Sequence, residues 1–460
     1  MKTYDAIIIG AGQAGVPLAR KLAAAGWHTA LIEKQWVGGT CINNGCTPTK
    51  TLIASGRMAF TAAHAAAWGI EINDYTVNMP AVKKRKDDIV DSSRDGLEKS
   101  LLQVENLDLI YGTASFAGAK TIVVQLNDGD RTTFTADKVF INTGAKPAIP
   151  KIEGLSEVNY FTSDTILNLD TVPEHLLIVG AGYVALEFGQ LYRRLGSDVT
   201  ILEASDTFLG KEDEDIAAAL KGILEEENIT IRTQAAVQLL ERNAQGVKAV
   251  VAVDGTATEI NCSHLLLAVG RPPQTDGLEL QNAGIATGAH GEILVNERLE
   301  TNVAGIYALG DVKGGPAFTH ISYNDFVIVW RNLLLEANVS THDRPLPYCM
   351  FTDPQLGRVG LTEKDARKKG LNIKVASMPM TAVARARETG NTQGLMKVVV
   401  DADTKKILGV AVLCMEGGEL MTVLQMAMEG GVTYDRLQYM VFAHPTLAES
   451  INNLFTRIPG

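Results

Sequence analysis

One pattern occurs twice in this chain and leaves few architectures open. Residues 4–33 read as an apolar strand, a glycine turn, a helix and a second strand (YDAIIIG-AGQAG-VPLARKLAAAG-WHTALIE). Residues 175–203 repeat it (HLLIVG-AGYVA-LEFGQLYRRLG-SDVTILE). Each copy carries G-x-G-x-x-G/A between strand and helix: Gly10, Gly12 and Gly15 in the first, Gly180, Gly182 and Ala185 in the second. In each, an acidic residue follows 23 positions after the first glycine, Glu33 and Glu203. A lone glycine fingerprint is weak, but strand before, helix after and acid at that distance, all present twice, make a strong signal. Such glycines let the backbone approach a pyrophosphate at a helix N-terminus, where free N–H groups and the helix dipole favour an anion. The acid takes the adenosine ribose hydroxyls. An α/β protein with two Rossmann-like dinucleotide-binding domains is expected.

Between and after the two copies, VFINTGAKPAIP (139–150) and LLLAVGRPPQT (265–275) each end a strand-like run in a glycine and proline turn. They bracket the second unit and put divisions near 150 and 270, with Gly144 and Gly270 in the turns. GIYALGDV (305–312) places Asp311 after another short strand. From about Leu346 the chain alternates strands, such as LMKVVVDA and ILGVAVLC, and then ends in helices, which reads as a separate α+β domain. A length of 460 residues accommodates this many cores.

Just beyond the first fingerprint lies GGTCINNGCTPTK (38–50), with four residues between Cys41 and Cys46. On a regular helix five steps of about 1.5 Å would hold their Cα atoms roughly 7.5 Å apart, beyond the ~7 Å reach of a disulfide. A bridge requires the backbone to leave the helix there, and Gly45 and Pro48 supply freedom and interruption. The pair could otherwise be metal ligands or two unrelated loop thiols. Two dinucleotides next to a cysteine pair suggest FAD and a nicotinamide cofactor feeding electrons to a disulfide. Glu203 favours NADH, because a carboxylate would repel a 2′-phosphate. Arg193 and Arg194 on the intervening helix leave NADPH open, although they read more simply as a solvated helix face.

Composition removes other classes. A net charge of −11 disfavours nucleic-acid or anionic-membrane binding. No apolar run approaches the ~20 residues of a membrane span, and the first strand begins too early for a signal peptide. The other three cysteines (Cys262, Cys349, Cys414) are scattered, so a single local pair suits a reducing compartment and a cytoplasmic location. Cys262 and Cys349 fall in or beside apolar strand-like runs and are expected to be buried and inert.

The strings GGTCINNGCTPTK and FAHPTLAE (442–449), set in this frame, resemble the flavin-dependent pyridine nucleotide–disulfide oxidoreductases: glutathione reductase, lipoamide dehydrogenase and mercuric reductase. The likeness covers essentially the whole chain. It implies an FAD-binding domain (1–150), an NAD(P)-binding domain (151–270), a central segment returning to the FAD domain (271–345) and a dimerisation domain (346–460). It also implies that Cys46 is the thiol nearer the flavin and Cys41 the interchange thiol that attacks substrate. Lys50 and Glu187 resemble the ion pair beside the flavin ring, and Tyr183 the aromatic lid over the nicotinamide pocket. Gly39, Thr40, Gly144 and Asp311 resemble FAD contacts. His444 and Glu449 resemble the acid–base pair that a partner subunit supplies to a disulfide substrate, which implies a homodimer. Pro445 is suited to the first turn of a helix.

Departures from the family pattern decide the branch only in part. The C-terminal vicinal cysteines and N-terminal metal-binding module usual in mercuric reductases are missing, and His444, which they usually lack, is present. Yet CTPTKTLIAS and MFTDPQLGRVGLTE resemble that branch more than lipoamide dehydrogenase. The chain also resembles the reactive-chlorine-resistance flavoproteins of the branch, which keep the histidine and are linked to copper and oxidant reduction. The expected activity is NAD(P)H oxidation through FAD and Cys41–Cys46 to a soft metal ion or small oxidant. The alternative is a dihydrolipoamide dehydrogenase or another small-disulfide reductase. Cys414, Met415, Met421, Met426 and Met428 form a sulfur-rich stretch, but methionine at helical spacing usually fills a core, so no resident metal site is expected. His320, in FTHISYND, reads equally as an active-site neighbour or a structural histidine.

Overall fold

The structure, a computed structural model, describes residues 2–253, 255–342 and 344–459. Strand β1 (Lys2–Ile9), helix α1 (Gly15–Ala24) and strand β2 (Thr29–Glu33) form the first unit. Helices α2 (Gly39–Asn43), α3 (Cys46–Ala63) and α4 (Met79–Leu101) lead into β3 (Leu107–Gly118), β4 (Thr121–Leu126) and β5 (Arg131–Ile141). The second unit comprises β6 (Phe161–Thr162), β7 (His175–Val179), α5 (Tyr183–Leu195), β8 (Asp198–Leu202), α6 (Glu214–Glu226) and β9 (Ile229–Arg232). A meander of β10 (Ala235–Asn243), β11 (Gly246–Val253) and β12 (Thr256–Cys262) precedes β13 (His264–Leu267). Strand β14 (Ile306–Ala308) and helix α7 (Thr319–Leu335) follow. The last part holds β15 (Tyr348–Met350), β16 (Gln355–Gly360), α8 (Glu363–Lys368), β17 (Ile373–Pro379) and α9 (Ala384–Glu388). It ends with β18 (Leu395–Asp401), β19 (Ile407–Cys414), α10 (Gly417–Glu429), α11 (Tyr434–Gln438) and α12 (Ser450–Phe455).

The strands of both dinucleotide units are near-continuous apolar runs because a parallel sheet is covered on both faces. Ile7, Ile8, Leu31 and Ile141 are fully buried in the first, and Leu177, Ile178, Ile201 and Leu266 in the second. In the first sheet the parallel strands lie β3-β2-β1-β5-β14, with β4 bridging β3 and β5 as an antiparallel excursion. Strand β14 thus returns to this sheet after the whole second unit has been traversed. The second sheet runs β6-β13-β7-β8-β9, all parallel. The third, β15-β16-β19-β18-β17, is antiparallel, with α10 packed on β16 and β19.

Register is what builds the site. Ile9 pairs with Ile32 and with Ile141, so Gly10, Glu33 and Asn142 emerge side by side at the carboxyl edge of the first sheet. Val179 pairs with Leu202 and Leu267, which does the same for Gly180 and Glu203 in the second. Ligands of open α/β sheets bind at this edge. The third fingerprint glycine serves packing: a Cβ on Gly15 would stand 2.1 Å from the Gly10 carbonyl oxygen, so α1 closes onto β1 only because no side chain intervenes. Among the described residues no helix is long and apolar enough to cross a membrane.

Gly15→Ala should therefore destabilise the protein by about 1–3 kcal/mol, the usual cost of forcing volume into a packed contact. Thermal denaturation measures it; unchanged stability would show that α1 can shift without loss.

Candidate active site

The interruption expected between the cysteines is present. Helix α2 stops at Asn43, Gly45 turns the chain at φ −138° and ψ −114°, and Cys46 is the first residue of the 18-residue α3. Pro48 sits in the first turn of α3, where its missing N–H leaves no bond unmade. A sulfur at a helix N-terminus faces free N–H groups and the positive end of the dipole, which favours thiolate. Both cysteines are free thiols, and they are hydrogen-bonded to one another. That bond draws Cys46 down to about 6, helped by the Thr319 hydroxyl and the Lys50 charge against the desolvating surroundings and Glu187. The same bond, together with burial, pushes Cys41 up. The pair is a dithiol with its remaining proton on Cys41 and a thiolate on Cys46.

One turn along α3, Lys50 Nζ lies 2.7 Å from Oε2 of Glu187 on α5. Glu187 is only 3 % exposed, and its other oxygen accepts the Phe351 N–H at 2.9 Å. Helices α3 and α5 can meet this closely because a Cβ on Gly56 would already touch Leu191 at 3.0 Å. Lys50 also stands over the Phe351 ring, 4.8 Å from its centroid, so its ammonium is fixed from two sides.

These groups face a cavity of about 1110 Å³. Gly10, Gly12, Glu33, Gly39, Thr40, Gly144 and Asp311 line it together with Cys41, Cys46, Lys50, Tyr183 and Glu187. The residues fit a flavin dinucleotide. Glu33 is oriented by the N–H groups of Ala11 and Gln35, both at 2.9 Å, and the N-terminus of α1 opens beside it. Asn142, which no motif singled out, accepts the Gly15 N–H at 2.8 Å and donates to Leu309 O at 2.9 Å, tying the glycine turn to the segment that carries Asp311. Fully buried Asp325 accepts the Gly310 N–H at 2.8 Å and holds that segment from the other side.

The second fingerprint stands outside this cavity. Glu203 is oriented as Glu33 is, by the N–H groups of Ala181 and Ser205 at 3.1 and 2.9 Å. Ala185 is buried in the core, whereas Gly182 and Gly270 have open space where a Cβ would stand, so backbone is free to meet a ligand. The expectation of a solvated face at Arg193 and Arg194 is corrected. Arg194 is 5 % exposed, paired with Glu227 and Asp353 at 2.7 and 2.6 Å, and stacked 3.9 Å from the Phe60 centroid. Arg193 donates to Ser197 O and Glu227 O. Both arginines brace α5 and neither is spare for a 2′-phosphate.

His444 Nδ1 lies 2.9 Å from Glu449, but the pair is apart from this chain's own cavity and the His444 side chain is 67 % exposed. Pro445 does not begin a helix: the His444–Pro445 peptide is cis, and α12 starts only at Ser450. Thr446 accepts the Glu449 N–H and donates to Ala443 O, so this turn satisfies its own backbone. The expectation for Cys349 is half corrected. Its thiol is pushed up to about 12 by burial, yet it lines the cavity. Cys262 and Cys414 are core residues, as is Met421, while Met426 is 71 % exposed. His320 lines the cavity, with Nε2 donating to Pro347 O at 2.6 Å. Thr319 is the functional neighbour that sequence reasoning missed: its hydroxyl, at the first residue of α7, is 3.2 Å from Cys46 Sγ. The FTH string held the signal, in the hydroxyl residue beside its histidine.

The pyridine nucleotide-disulphide oxidoreductase family matches residues 4–325, and its dimerisation domain matches residues 346–455. The chain is 38% identical to the probable pyridine nucleotide-disulfide oxidoreductase RclA of Escherichia coli (strain K12), across the full length of both. It is 35% identical to a mercuric reductase of Staphylococcus aureus, over 97% of this chain and 81% of that one. The solved Cu(II) complex of the HOCl-induced flavoprotein disulfide reductase RclA from Escherichia coli matches with a TM-score of 0.91 at 37% identity, over 99% of both chains.

The Thr319 contact carries a testable consequence. In reduced protein the Cys46 thiolate should persist at neutral pH and be lost on acidification through about 6. Thr319→Val should move that midpoint up by about 0.5–1 pH unit, the worth of one hydrogen bond to the thiolate. The long-wavelength thiolate–flavin absorbance reads it, and an unmoved midpoint would show that the hydroxyl does not donate to Cys46.

Proposed function

The chain belongs to the pyridine nucleotide-disulphide oxidoreductase family, and on that premise we propose that it carries electrons from NADH through FAD and Cys41–Cys46 to a soft metal ion or small oxidant. Enzymes of this family use FAD and NAD(P)H, and flavin, when bound, supplies hydride acceptance and two-electron transfer. The observation that carries the reading is the Cys46 thiolate, one helical turn from the Lys50–Glu187 pair on the wall of the dinucleotide cavity.

Each residue then has a role. Gly10 and Gly12 admit the pyrophosphate to the backbone, and Glu33 takes ribose hydroxyls. Lys50, held in place by Glu187, offsets negative charge that develops beside it. Tyr183 covers the nicotinamide position. Cys41 gives up its remaining proton as it attacks the acceptor or takes it as a thiolate ligand, and closure to the Cys41–Cys46 disulfide passes two electrons on, one to each of two Cu(II) ions or both to one Hg(II) or one small oxidant. Soft thiolates suit Hg(II) and Cu(I), the product of Cu(II) reduction, and a relative was solved as a Cu(II) complex. NADH is preferred because Glu203 repels a 2′-phosphate, residues 204–210 (ASDTFLG) hold no cation, and Arg193 and Arg194 are engaged elsewhere. The protein works as a cytoplasmic homodimer in which the partner's His444 and Glu449 complete the site.

One observation favours a second reading, reduction of a small disulfide such as lipoamide: His444 is paired with Glu449 at 2.9 Å, as a proton carrier for a leaving thiol would be.

Purified flavoprotein should oxidise NADH steadily with Cu(II) or thiol-buffered Hg(II) and only slowly with lipoamide; the reverse order would establish the second reading. Cys41→Ser should leave flavin that NADH still reduces but stop turnover with either metal ion, and normal turnover would refute the dithiol relay. His444→Ala should lower disulfide turnover by about 10²–10⁴-fold, the worth of a positioned proton carrier, with a far smaller loss for metal ions. Equal losses would break that division of labour.

A further inference from the structure

The dinucleotide fingerprints leave unexplained an aromatic wall beside Tyr183. Phe318, immediately before α7, packs against Tyr183 with ring centroids 6.0 Å apart. Tyr348 stacks on Phe318 at 5.6 Å and 6°, and His320 at 5.3 Å and 13°. All four rings line the cavity. Tyr183 makes no side-chain hydrogen bond among the described residues, so its ring contact with Phe318 is what orients it.

Tyr348 is in turn held from behind. Its hydroxyl donates to Oε1 of Glu212, a buried residue on the turn before α6. Among the described residues this is the only hydrogen bond to that carboxylate: Arg358 Nη1 comes no nearer than 3.6 Å to Oε2, and Oε2 itself has no hydrogen-bond partner. A buried acceptor loses more by being left bare than it gains by being satisfied, so Glu212 keeps the tyrosine in one rotamer. Glu212 belongs to the second sheet's unit, Tyr348 to the third sheet and Phe318 to the segment that leads from the first sheet's last strand into α7. The packing of all three therefore converges on the orientation of one tyrosine.

We propose that Tyr348, tethered to Glu212 and stacked on Phe318, is a positioning residue that sets the resting angle of Tyr183 and so governs admission of the nicotinamide ring of NADH. The proposal rests on the reading of Tyr183 as the nicotinamide lid. Tyr348 acts through Phe318.

The test uses the FAD-loaded full-length protein and NADH, with flavin reduction followed by stopped flow. Tyr348→Phe keeps the ring and removes only the tether. It should raise the NADH concentration for half-maximal reduction about three- to tenfold, the span of one lost hydrogen bond, and leave the limiting rate and the Cys46 titration midpoint in place. Glu212→Gln retains an acceptor for the hydroxyl and should stay close to wild type. An unchanged NADH dependence in Tyr348→Phe would overturn the proposal. So would a joint shift of half-saturation, limiting rate and thiolate midpoint, which marks general loosening. If NADH fails to reduce the wild-type flavin, the functional reading falls first; if it reduces wild type and variant alike, only this inference falls.

Discussion

A single buried carboxylate joins the three parts of this chain. Glu187 on α5 receives the Lys50 ammonium from α3 on one oxygen and the Phe351 N–H from the third sheet's unit on the other. A carboxylate taken out of water costs several kcal/mol unless both oxygens are paired. Here both are, and the two partners come from two different parts of the structure. Losing either partner would leave a buried charge uncompensated, so the relative placement of the parts is held where that carboxylate is satisfied. A second knot with the same logic lies further along α3, where Arg57 reaches Asp353 and Glu416 while Arg194 reaches Asp353 and Glu227.

The same constraint bears on the charge of the dithiol. Lys50 is placed by Glu187 and lies one turn from Cys46, so the charge that holds the parts together also favours a thiolate on the cavity wall. The break at Gly45 puts that sulfur at the head of a long helix and within reach of Cys41, whose proton it shares. Thr319, arriving from the head of another helix, adds a third interaction. The thiolate, the fixed cation and the aromatic wall are thus consequences of where α3, α5 and α7 begin.

Much of this was legible in the chain, and the reasons are local. The glycine fingerprints, Glu33, Glu203, the helix break before Cys46 and the apolar strand runs all express backbone preferences within a few residues. The readings that needed correction concern partners. Arg193 and Arg194 look solvated on a helix drawn alone; only packing against Phe60, Glu227 and Asp353 shows Arg194 to be a brace. Pro445 looks like a helix start until Thr446 is seen to close its own turn. Cys349 looks like a core residue of an apolar strand, but the edge strand β15 opens it to the cavity.

Local patterning by itself determined two dinucleotide units, a cysteine pair freed from helical spacing and a separate α+β C-terminal unit, because these depend on short-range periodicity and glycine geometry. Only the tertiary structure decided which groups share an environment. Thr319 meets Cys46 across 273 positions, Asn142 meets Gly15 across 127, and Tyr348 meets Glu212 across 136. A thiol's acidity and a tyrosine ring's resting angle depend on the charges and rings within a few ångströms, and no local run of residues specifies which distant ones packing will bring there.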